Sequence, residues 1–243
     1  MKRVNIVIPV YNEKGNIGRS LKKIKDEVTG PYQVTIVFDF DEDNSLPEAI
    51  EANGQLNLNL QFVKNKYGKG VLNAIKTGLH SSTAPYTIVT MADLSDPPYV
   101  INNMLQLAQK NNSDIVCGSR YMKDGSQSGG ITLKSFLSRM AGLTLRYIAG
   151  VPTHDATNSF KLYSQRVLKN IKIESVGGFE LGLELVVKSH LMGYKIDEVP
   201  TSWEDRSEGQ SRFQLYNWIP KYLKWYFMAY VGKIKHFEFE KNA

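Results

Sequence analysis

The sequence lacks the residues and motifs on which several common enzyme classes depend. It contains one cysteine, Cys117, so no disulfide can form within the chain. Its four histidines show no H-E-x-x-H spacing, which leaves no indication of a zinc site. A Walker A pattern and a G-x-S-x-G nucleophile elbow are both absent. The segment Gly68-Lys-Gly-Val-Leu-Asn73 lacks the third glycine of a dinucleotide fingerprint, which disfavours a Rossmann dehydrogenase.

An apolar leader is also missing. Met1-Lys-Arg3 runs directly into a predicted strand, so we expect no signal peptide, and with the single cysteine this favours a cytoplasmic protein. Positive charge is concentrated in the second half, where residues 121–243 carry 17 Lys and Arg against 12 Asp and Glu. Because no nucleic-acid motif accompanies this charge, we expect no nucleic-acid partner and favour an anionic lipid surface or an anionic acceptor.

Short apolar strands alternate with amphipathic helices in the first half of the chain. Strands are predicted from Val4, Val34 and Leu60, and apolar residues at helical spacing lie between Asn16 and Val28. This alternation predicts an α/β fold with a mostly parallel sheet flanked by helices. Each strand ends in polar residues, which then meet at one edge of the sheet, where open α/β sheets bind ligands.

The segment Tyr86–Pro98 is the most informative part of the chain. Its β-branched run predicts a buried strand, which delivers Asp93 and Asp96 to a turn stopped by Pro97 and Pro98. Carboxylates at a strand end suit Mg²⁺ or Mn²⁺, which usually accompany a phosphate-bearing substrate. The alternative is that Asp96 caps the following helix, because Asp is a favoured N-cap residue.

Six motifs, in this order along the chain, resemble family 2 glycosyltransferases with the GT-A fold. They are Ile8-Pro-Val-Tyr-Asn-Glu13, the acidic segment after the second strand, Gly68-Lys-Gly70, Ala92-Asp-Leu-Ser-Asp-Pro-Pro98, Gly118-Ser-Arg-Tyr121 and Arg206-Ser-Glu-Gly-Gln-Ser-Arg212. Within that family the chain looks most like the dolichol-phosphate mannose synthase and polyprenyl-phosphate glycosyltransferase group. The resemblance extends from Val4 to Phe213. It implies a GT-A (Rossmann-like) domain over residues 1–213, with an amphipathic C-terminal helix and tail over residues 214–243.

The resemblance implies a binding site for a UDP- or GDP-sugar at the strand ends. Its members would be Pro9, Tyr11, Glu13, Asp39, Asp41, Lys69, Ala92, Asp93, Ser211 and Arg212. It also implies a divalent cation, Mg²⁺ or Mn²⁺, held by Asp93, Ser95 and Asp96.

At this metal site the chain departs from the family. Family members usually have an Asp-x-Asp triplet, whereas this chain has Met91-Ala-Asp93, and a thioether is a poor ligand for a hard cation. A metal-independent variant therefore stays open, in which Lys69, Arg206 and Arg212 neutralise the leaving diphosphate.

The resemblance also implies how the acceptor is held. Arg120, Lys134, Ser138 and Arg139 match positions that bind the acceptor phosphate in lipid-phosphate glycosyltransferases. A phosphate monoester is largely a dianion at neutral pH and can attack a sugar without a general base, whereas a sugar hydroxyl needs a carboxylate within reach. Asp155, Glu180 and Glu184 are candidates for such a base, and the resemblance favours the first two. The implied catalytic residues are Asp93, Asp155, Glu180 and Arg206.

The C-terminal segment from Leu215 to Val231 combines many aromatic residues with Lys221 and Lys224. A lysine held at the centre of a bilayer costs about 2.5–3.5 kcal/mol, so the segment favours the membrane interface over a transmembrane position. We therefore expect a peripheral protein at the inner face of the cell membrane. The alternative is a terminal helix packed on the core of its own domain.

Three functions remain open from the sequence. The leading one is an inverting glycosyltransferase that moves a sugar from a nucleotide-diphosphate sugar to a polyprenyl (dolichyl-like) phosphate. The second transfers the sugar to a hydroxyl of an envelope glycan, within cell envelope biosynthesis. The third, motivated by Met91, is a catalytically impaired protein that binds a nucleotide-sugar.

Overall fold

The structure is a computed structural model, and residues 4–128, 133–204 and 215–232 are described. The strands are β1 (Val4–Pro9), β2 (Tyr32–Phe38), β3 (Leu60–Lys64), β4 (Tyr86–Val89), β5 (Ile115–Ser119), β6 (Ser126–Gln127), β7 (Lys161–Ser164), β8 (Ile196–Pro200) and β9 (Ser202–Trp203). The helices are α1 (Ile17–Glu27), α2 (Ser45–Leu56), α3 (Val71–Ser81), α4 (Val100–Asn111), α5 (Leu133–Tyr147), α6 (Gln165–Asn170), α7 (Glu180–Leu191) and α8 (Leu215–Val231).

Seven strands form the central sheet in the order β3-β2-β1-β4-β7-β5-β8. Every neighbouring pair is parallel except the two that involve β7, which runs antiparallel to both β4 and β5. β6 and β9 form a separate two-stranded parallel sheet. The predicted α/β fold with a mostly parallel sheet is therefore confirmed, and the antiparallel insertion of β7 is a feature that the sequence did not indicate.

The helices cover both faces of this sheet because successive strand residues point to opposite sides. Ile88 of β4 and Val116 of β5 pack in a core with residues of α1, α2 and α4. Val89 and Cys117 pack in a second core with residues of α3, α5, α6, α7 and α8. Cys117 is fully buried, and burial raises the pKa of its thiol to about 11. The cysteine is therefore a core residue.

Helix α8 packs against α7 along one of its faces. Trp225 is buried there, and the Nζ atom of Lys188 lies 4.9 Å from the centre of its ring. Lys188 is itself buried and lies 2.6 Å from a carboxylate oxygen of Glu184 and 2.6 Å from one of Glu174. For this face of α8, packing on the core of the domain is confirmed. Glu184 therefore neutralises a buried lysine.

No helix in the described ranges combines the length and hydropathy that a bilayer crossing requires.

Candidate active site

The carboxyl ends of the parallel strands carry most of the predicted donor-site residues. Strands β2 and β4 lie on opposite sides of β1, so the order of the sheet reverses between β1 and β4. Ligands of open α/β sheets bind at such a point. Pro9 ends β1, and the buried Ala92 and half-buried Asp93 follow β4. The structure therefore brings these three residues to one rim of the sheet.

Asp39 follows β2 directly and organises the loop before α3. Its Oδ1 atom accepts a hydrogen bond from Nδ2 of Asn65 at 2.7 Å, and its Oδ2 atom accepts one from the backbone N–H of Gly70 at 2.8 Å. Gly70 has a φ of 115°, a conformation that glycine adopts without the steric cost of a side chain. Asp39 therefore holds the loop that carries Lys69 in place. The predicted contact of Asp39 with the nucleotide-sugar stays a prediction.

Two aromatic rings and a lysine meet at this rim. The rings of Tyr11 and Phe40 form an edge-to-face pair with centres 5.5 Å apart. The Nζ atom of Lys69 lies 5.8 Å from the centre of the Phe40 ring, which is a cation–π distance. The three side chains come from the segments that follow three different strands. Together they place two aromatic rings, on which a base can stack, beside a positive charge that can bind a phosphate.

The other acidic residues after β2 have different surroundings. Asp41 is exposed and lies 2.5 Å from Nζ of Lys64. Asp43 is buried, and both of its carboxylate oxygens accept from the backbone N–H of Asn12 at 3.1 Å. Asp43 therefore ties the end of β1 to the end of β2, whereas the predicted nucleotide contact of Asp41 remains a prediction.

The first turn of α1 is occupied by carboxylates of the protein itself. Glu48 accepts from the backbone N–H groups of Gly15 at 2.5 Å and Gly18 at 2.9 Å. Glu13, predicted to bind the nucleotide, accepts from Nδ2 of Asn16 at 2.8 Å. Because these N–H groups already have acidic partners, the start of α1 is a poor site for a phosphate.

Asp93 lies in a tight turn after β4. Leu94 has a φ of 58°, which is uncommon for a residue with a side chain. The Oδ1 atom of Asp93 accepts from the backbone N–H of Ser95 at 3.1 Å and from its hydroxyl at 2.7 Å. A cavity of about 180 Å³ adjoins this turn, and Asp93 lines it together with Arg19 and Lys23 of α1. Glu204 lines the same cavity, so two carboxylates and two cationic side chains border this space.

Few protein groups would hold a divalent cation at this turn. In the described part of the chain, no cluster of three or more His, Cys, Asp or Glu side chains could hold a metal ion. Asp93 supplies one carboxylate and Ser95 one hydroxyl. Mg²⁺ commonly binds through one or two carboxylates, with waters and substrate phosphates completing its shell. The donor set therefore fits Mg²⁺ or Mn²⁺ as a site that a diphosphate completes.

Asp96, the third predicted metal ligand, is buried, and Oδ1 accepts from Nδ2 of Asn158 at 3.3 Å. Burial raises the pKa of Asp96 to about 7. Helix α4 begins at Val100, and Tyr99 occupies its N-cap position, so the alternative that Asp96 caps this helix is wrong. Asp96 is therefore a buried carboxyl with a raised pKa, and its metal role stays a prediction.

Arg120, directly after β5, is the centre of a polar cluster. Its Nε and Nη2 atoms donate to the two carboxylate oxygens of Asp155 at 2.6 and 3.0 Å, which makes a bidentate ion pair. Nη2 also lies within hydrogen-bonding distance of the hydroxyls of Ser138 at 3.2 Å and Thr157 at 3.4 Å. The structure thus brings Arg120 and Ser138 together, as two members of one phosphate site must be, while their role in binding phosphate stays a prediction.

The surroundings of Asp155 bear on its predicted catalytic role, which stays a prediction. Burial alone would raise the pKa of Asp155, but the ion pair and hydrogen bonds with Arg120 outweigh burial and lower it. Its Oδ1 atom also accepts from the backbone N–H of Asn158 at 3.1 Å. A carboxylate with a low pKa and engaged oxygens is a poor proton acceptor. Asp155 positions Arg120.

Glu180 is also engaged by other groups of the protein. Its two carboxylate oxygens accept from the backbone N–H groups of Gly177 and Gly178, each at 2.6 Å. The side chain is fully buried at the first residue of α7. A negative charge at this end of a helix interacts favourably with the helix dipole. Burial and the charge of Glu180 both raise the pKa of Tyr222 on α8. Glu180 is therefore engaged at the start of α7, and its predicted catalytic role stays a prediction.

Comparison with known proteins decides which family this arrangement represents. The sequence profile described as Glycosyl transferase family 2 matches residues 5–172, more than half of the chain. The chain belongs to glycosyl transferase family 2. The resemblance inferred from the six motifs is confirmed.

Two curated relatives of this family 2 member are named for polyprenyl phosphates. A dolichol-phosphate mannosyltransferase from Pyrococcus furiosus is 26% identical over 234 residues, which cover 92% of this chain and 64% of that protein. A dodecaprenyl-phosphate galacturonate synthase from Rhizobium johnstonii is 22% identical over 241 residues, which cover 96% and 70%. This family 2 chain therefore spans about two thirds of the length of these relatives.

A solved structure supports the fold of this family 2 member. Glucosyl-3-phosphoglycerate synthase from Mycobacterium tuberculosis, in complex with Mn²⁺, UDP and glucosyl-3-phosphoglycerate, matches with a TM-score of 0.65 at 13% identity. The match covers 96% of this chain and 80% of that chain. The predicted GT-A fold is confirmed.

Several predicted positions of this family 2 member lie outside the described residues. Arg206, Ser211 and Arg212 are among them, together with the boundary predicted between residues 213 and 214. The side chain of Lys134 is also not described, while Arg139 is exposed on α5. Their predicted roles stay predictions.

Two residues of the site were missed in the sequence. Asn158 donates from Nδ2 to Asp96 and to the backbone carbonyl of Gly118, at 3.3 and 3.1 Å, and so links the turn after β4 to β5. Lys161 is fully buried and donates from Nζ to the backbone carbonyl of Asn158, and burial lowers its pKa. The sequence did contain an indication of this buried lysine, because Lys161 is a single charged residue between Phe160 and Leu162 in an apolar run.

Proposed function

We propose that this protein is an inverting glycosyltransferase that moves a sugar from a nucleotide-diphosphate sugar to a polyprenyl phosphate. The observation that carries the proposal is the Arg120 guanidinium held by Asp155 beside the hydroxyls of Ser138 and Thr157. A guanidinium with neighbouring hydroxyls is well suited to bind a phosphate. The two relatives named above share a polyprenyl phosphate and differ in the sugar, which supports the acceptor and leaves the sugar open.

The proposed reaction needs no general base. An oxygen of the acceptor phosphate forms a bond to the anomeric carbon while the bond from that carbon to the donor diphosphate breaks, and a nucleoside diphosphate leaves. The second pKa of a phosphate monoester is about 6, so the attacking oxygen is already deprotonated at neutral pH. Asp155 and Glu180 are both engaged in other contacts, which fits this chemistry and disfavours a glycan hydroxyl as the acceptor.

The donor would bind across the ends of β1 to β4. In our proposal the rings of Tyr11 and Phe40 contact the base, and Lys69 contacts the diphosphate. Asp93 and Ser95 would hold a divalent cation, which supplies positive charge for the leaving diphosphate. The Mn²⁺ and UDP in the solved relative support a cation and a nucleotide in this family, while the choice between Mg²⁺ and Mn²⁺ and between UDP and GDP is part of the test.

We also propose that the protein works at a membrane, since its acceptor is a lipid. Support comes from α8, whose face opposite Trp225 exposes Leu223, Phe227 and Val231 and whose sequence contains Lys221 and Lys224. The cytoplasmic face of that membrane is the side on which we expect it.

The test is a donor panel. The full chain is incubated with labelled UDP- and GDP-sugars, polyprenyl phosphate in detergent micelles, and Mg²⁺, Mn²⁺ or EDTA, and the label that enters the organic phase is counted. We expect transfer from one donor, dependent on the divalent cation. Binding of a donor by calorimetry without transfer to this acceptor would contradict the proposal and favour an impaired nucleotide-sugar-binding protein.

A further inference from the structure

Helix α5 exposes an apolar stripe along its length. Leu133, Phe136, Leu137, Met140 and Tyr147 recur at intervals of three, four or seven residues, and Ile148 follows the helix. Their exposed fractions range from 40% to 72%, although side chains of this kind are normally buried. Residues at this spacing share one face of a helix. In the described part of the chain these side chains keep this exposure, although α8 contacts Thr144 on the same face of α5.

Helix α8 has a matching stripe. Leu223, Phe227 and Val231 follow one another at intervals of four residues and are 41–56% exposed, while Trp225 and Ala229 on the other side of the helix are buried. The stripe is therefore the face that α8 turns away from α7.

The two stripes lie next to each other. The hydroxyl of Thr144 on α5 is 2.9 Å from the hydroxyl of Tyr226 on α8, and Tyr230 donates to Tyr226 at 3.0 Å. Thr144 lies in the middle of the α5 stripe by helical position, and Tyr226 and Tyr230 flank the α8 stripe. We call the combined surface of the two stripes the two-helix apolar face.

Charge indicates what covers this face. Neither α5 nor α8 contains an acidic residue, whereas the two helices contain Lys134, Arg139, Lys221 and Lys224, and a fifth cation, Arg146, which pairs with Glu198 at 3.4 Å. Exposed apolar residues with lysines and arginines beside them are typical of helices that lie in the interface of an anionic membrane. A second copy of the chain would bring the same cations against this face, which repel one another.

We propose that the two-helix apolar face lies on an anionic membrane and that α5 thereby sets the depth of the acceptor site. The proposal rests on the proposed function and extends it. Ser138 lies on the side of α5 opposite the stripe, where it contacts Arg120. A helix is about 10–12 Å across with its side chains, and an interfacial helix sinks by about 5–10 Å. Ser138 and Arg120 then lie at the level of the lipid head groups, where the phosphate of a polyprenyl lipid is found.

The experiment measures binding of the full chain to vesicles of phosphatidylcholine with and without phosphatidylglycerol, by co-sedimentation. Met140→Glu on α5 and Phe227→Glu on α8 each place a charge in the face without touching the core. Ile50→Glu, at a residue that is 60% exposed on α2, is the matched control. We expect each face variant to bind anionic vesicles about tenfold more weakly, equivalent to about 1.4 kcal/mol, and the control to bind as the unmodified chain does.

Two results would overturn the proposal. One is Met140→Glu binding vesicles as tightly as Ile50→Glu, which would remove α5 from the membrane surface. The other is an unmodified chain that leaves vesicles unbound and sediments as a dimer that Met140→Glu dissociates, which would make the face a contact between copies.

A transfer assay separates this proposal from the proposed function. With polyprenyl phosphate in detergent micelles, we expect Met140→Glu to transfer sugar at the rate of the unmodified chain, and with the acceptor in anionic vesicles we expect about a tenfold loss. Equal losses in both settings would contradict a role in membrane docking. If the unmodified chain transfers no sugar in either setting, the proposed function fails, and the vesicle measurement still decides what the two-helix apolar face binds.

Discussion

The proposed donor and acceptor sides of the site are built differently. On the donor side the Lys64–Asp41 ion pair has side chains that are 54% and 69% exposed, and Tyr11 is 42% exposed. On the acceptor side the side chains of the Arg120–Asp155 pair are 10% and 0% exposed. The acceptor side therefore holds its charges in place at the cost of desolvating them, whereas the donor side leaves open surface for the ligand to cover.

The largest effect should come from breaking the buried pair. Arg120→Met leaves Asp155 as an unpaired buried charge, which costs about 3–5 kcal/mol of unfolding free energy, and we also expect transfer to the lipid phosphate to be lost. Urea unfolding gives the stability. Lys64→Met is the matched control, because an exposed ion pair contributes at most about 1 kcal/mol. Equal losses of stability in Arg120→Met and Lys64→Met would contradict the difference proposed between the two sides.

Removing the negative charge of Asp93 should have the next largest effect. Asp93→Asn keeps an oxygen for the hydrogen bonds from Ser95, so we expect the turn and the fold to persist. Loss of a metal ligand should lower kcat/KM roughly hundredfold, which corresponds to about 2.7 kcal/mol of transition-state stabilisation. Steady-state kinetics with Mg²⁺, Mn²⁺ and EDTA measure this. Unchanged transfer in EDTA would instead favour neutralisation of the diphosphate by protein cations.

The pH dependence of stability should identify Asp96 as a buried acid. Its pKa in the folded chain, raised to about 7 by burial, lies above that of an exposed Asp. The folded state therefore gains a proton-linked stabilisation that is complete at low pH and is lost as pH rises towards and through 7. Relative to Asp96→Asn, the unmodified chain should lose about 2–4 kcal/mol of stability between pH 4 and pH 8. Urea titrations at these two pH values, with exposed Asp41→Asn as the control, test this, and a constant difference would contradict it.

The smallest effect should come from the open donor side. Lys69→Ala removes an exposed cation, and we expect stability to change by less than about 0.5 kcal/mol. Loss of its contact with the diphosphate should raise the donor KM about tenfold with little change in kcat, which is the pattern of a lost binding contact. Lys66→Ala, a nearby exposed lysine, is the control. A fall in kcat with an unchanged KM would show that Lys69 acts on the transition state.

The sequence predicted the sheet and the polar residues at its rim because both follow from local patterns. Apolar strands with polar ends need no long-range information, and the closeness of Arg120 and Ser138 followed from a family resemblance. The partner of Arg120 could not be predicted, since Asp155 is 35 residues away and a carboxylate looks the same in a sequence whether it is free or paired. The direction of β7 could not be predicted either. A strand of four residues, Lys161–Ser164, shows the same sequence pattern whether it pairs parallel or antiparallel to its neighbours.

The antiparallel position of β7 sets how far apart the two proposed substrate sites lie. β7 separates β4, which ends near Asp93, from β5, which ends near Arg120, and neighbouring strands lie about 4.8 Å apart. The two strands are thus about 10 Å apart, with the start of β7 between them. The loop of residues 152–160 leads into β7 and also carries Asp155 and Thr157, which contact Arg120. A change in the length of this loop would therefore alter both the spacing of the two proposed substrate sites and the groups around the acceptor phosphate.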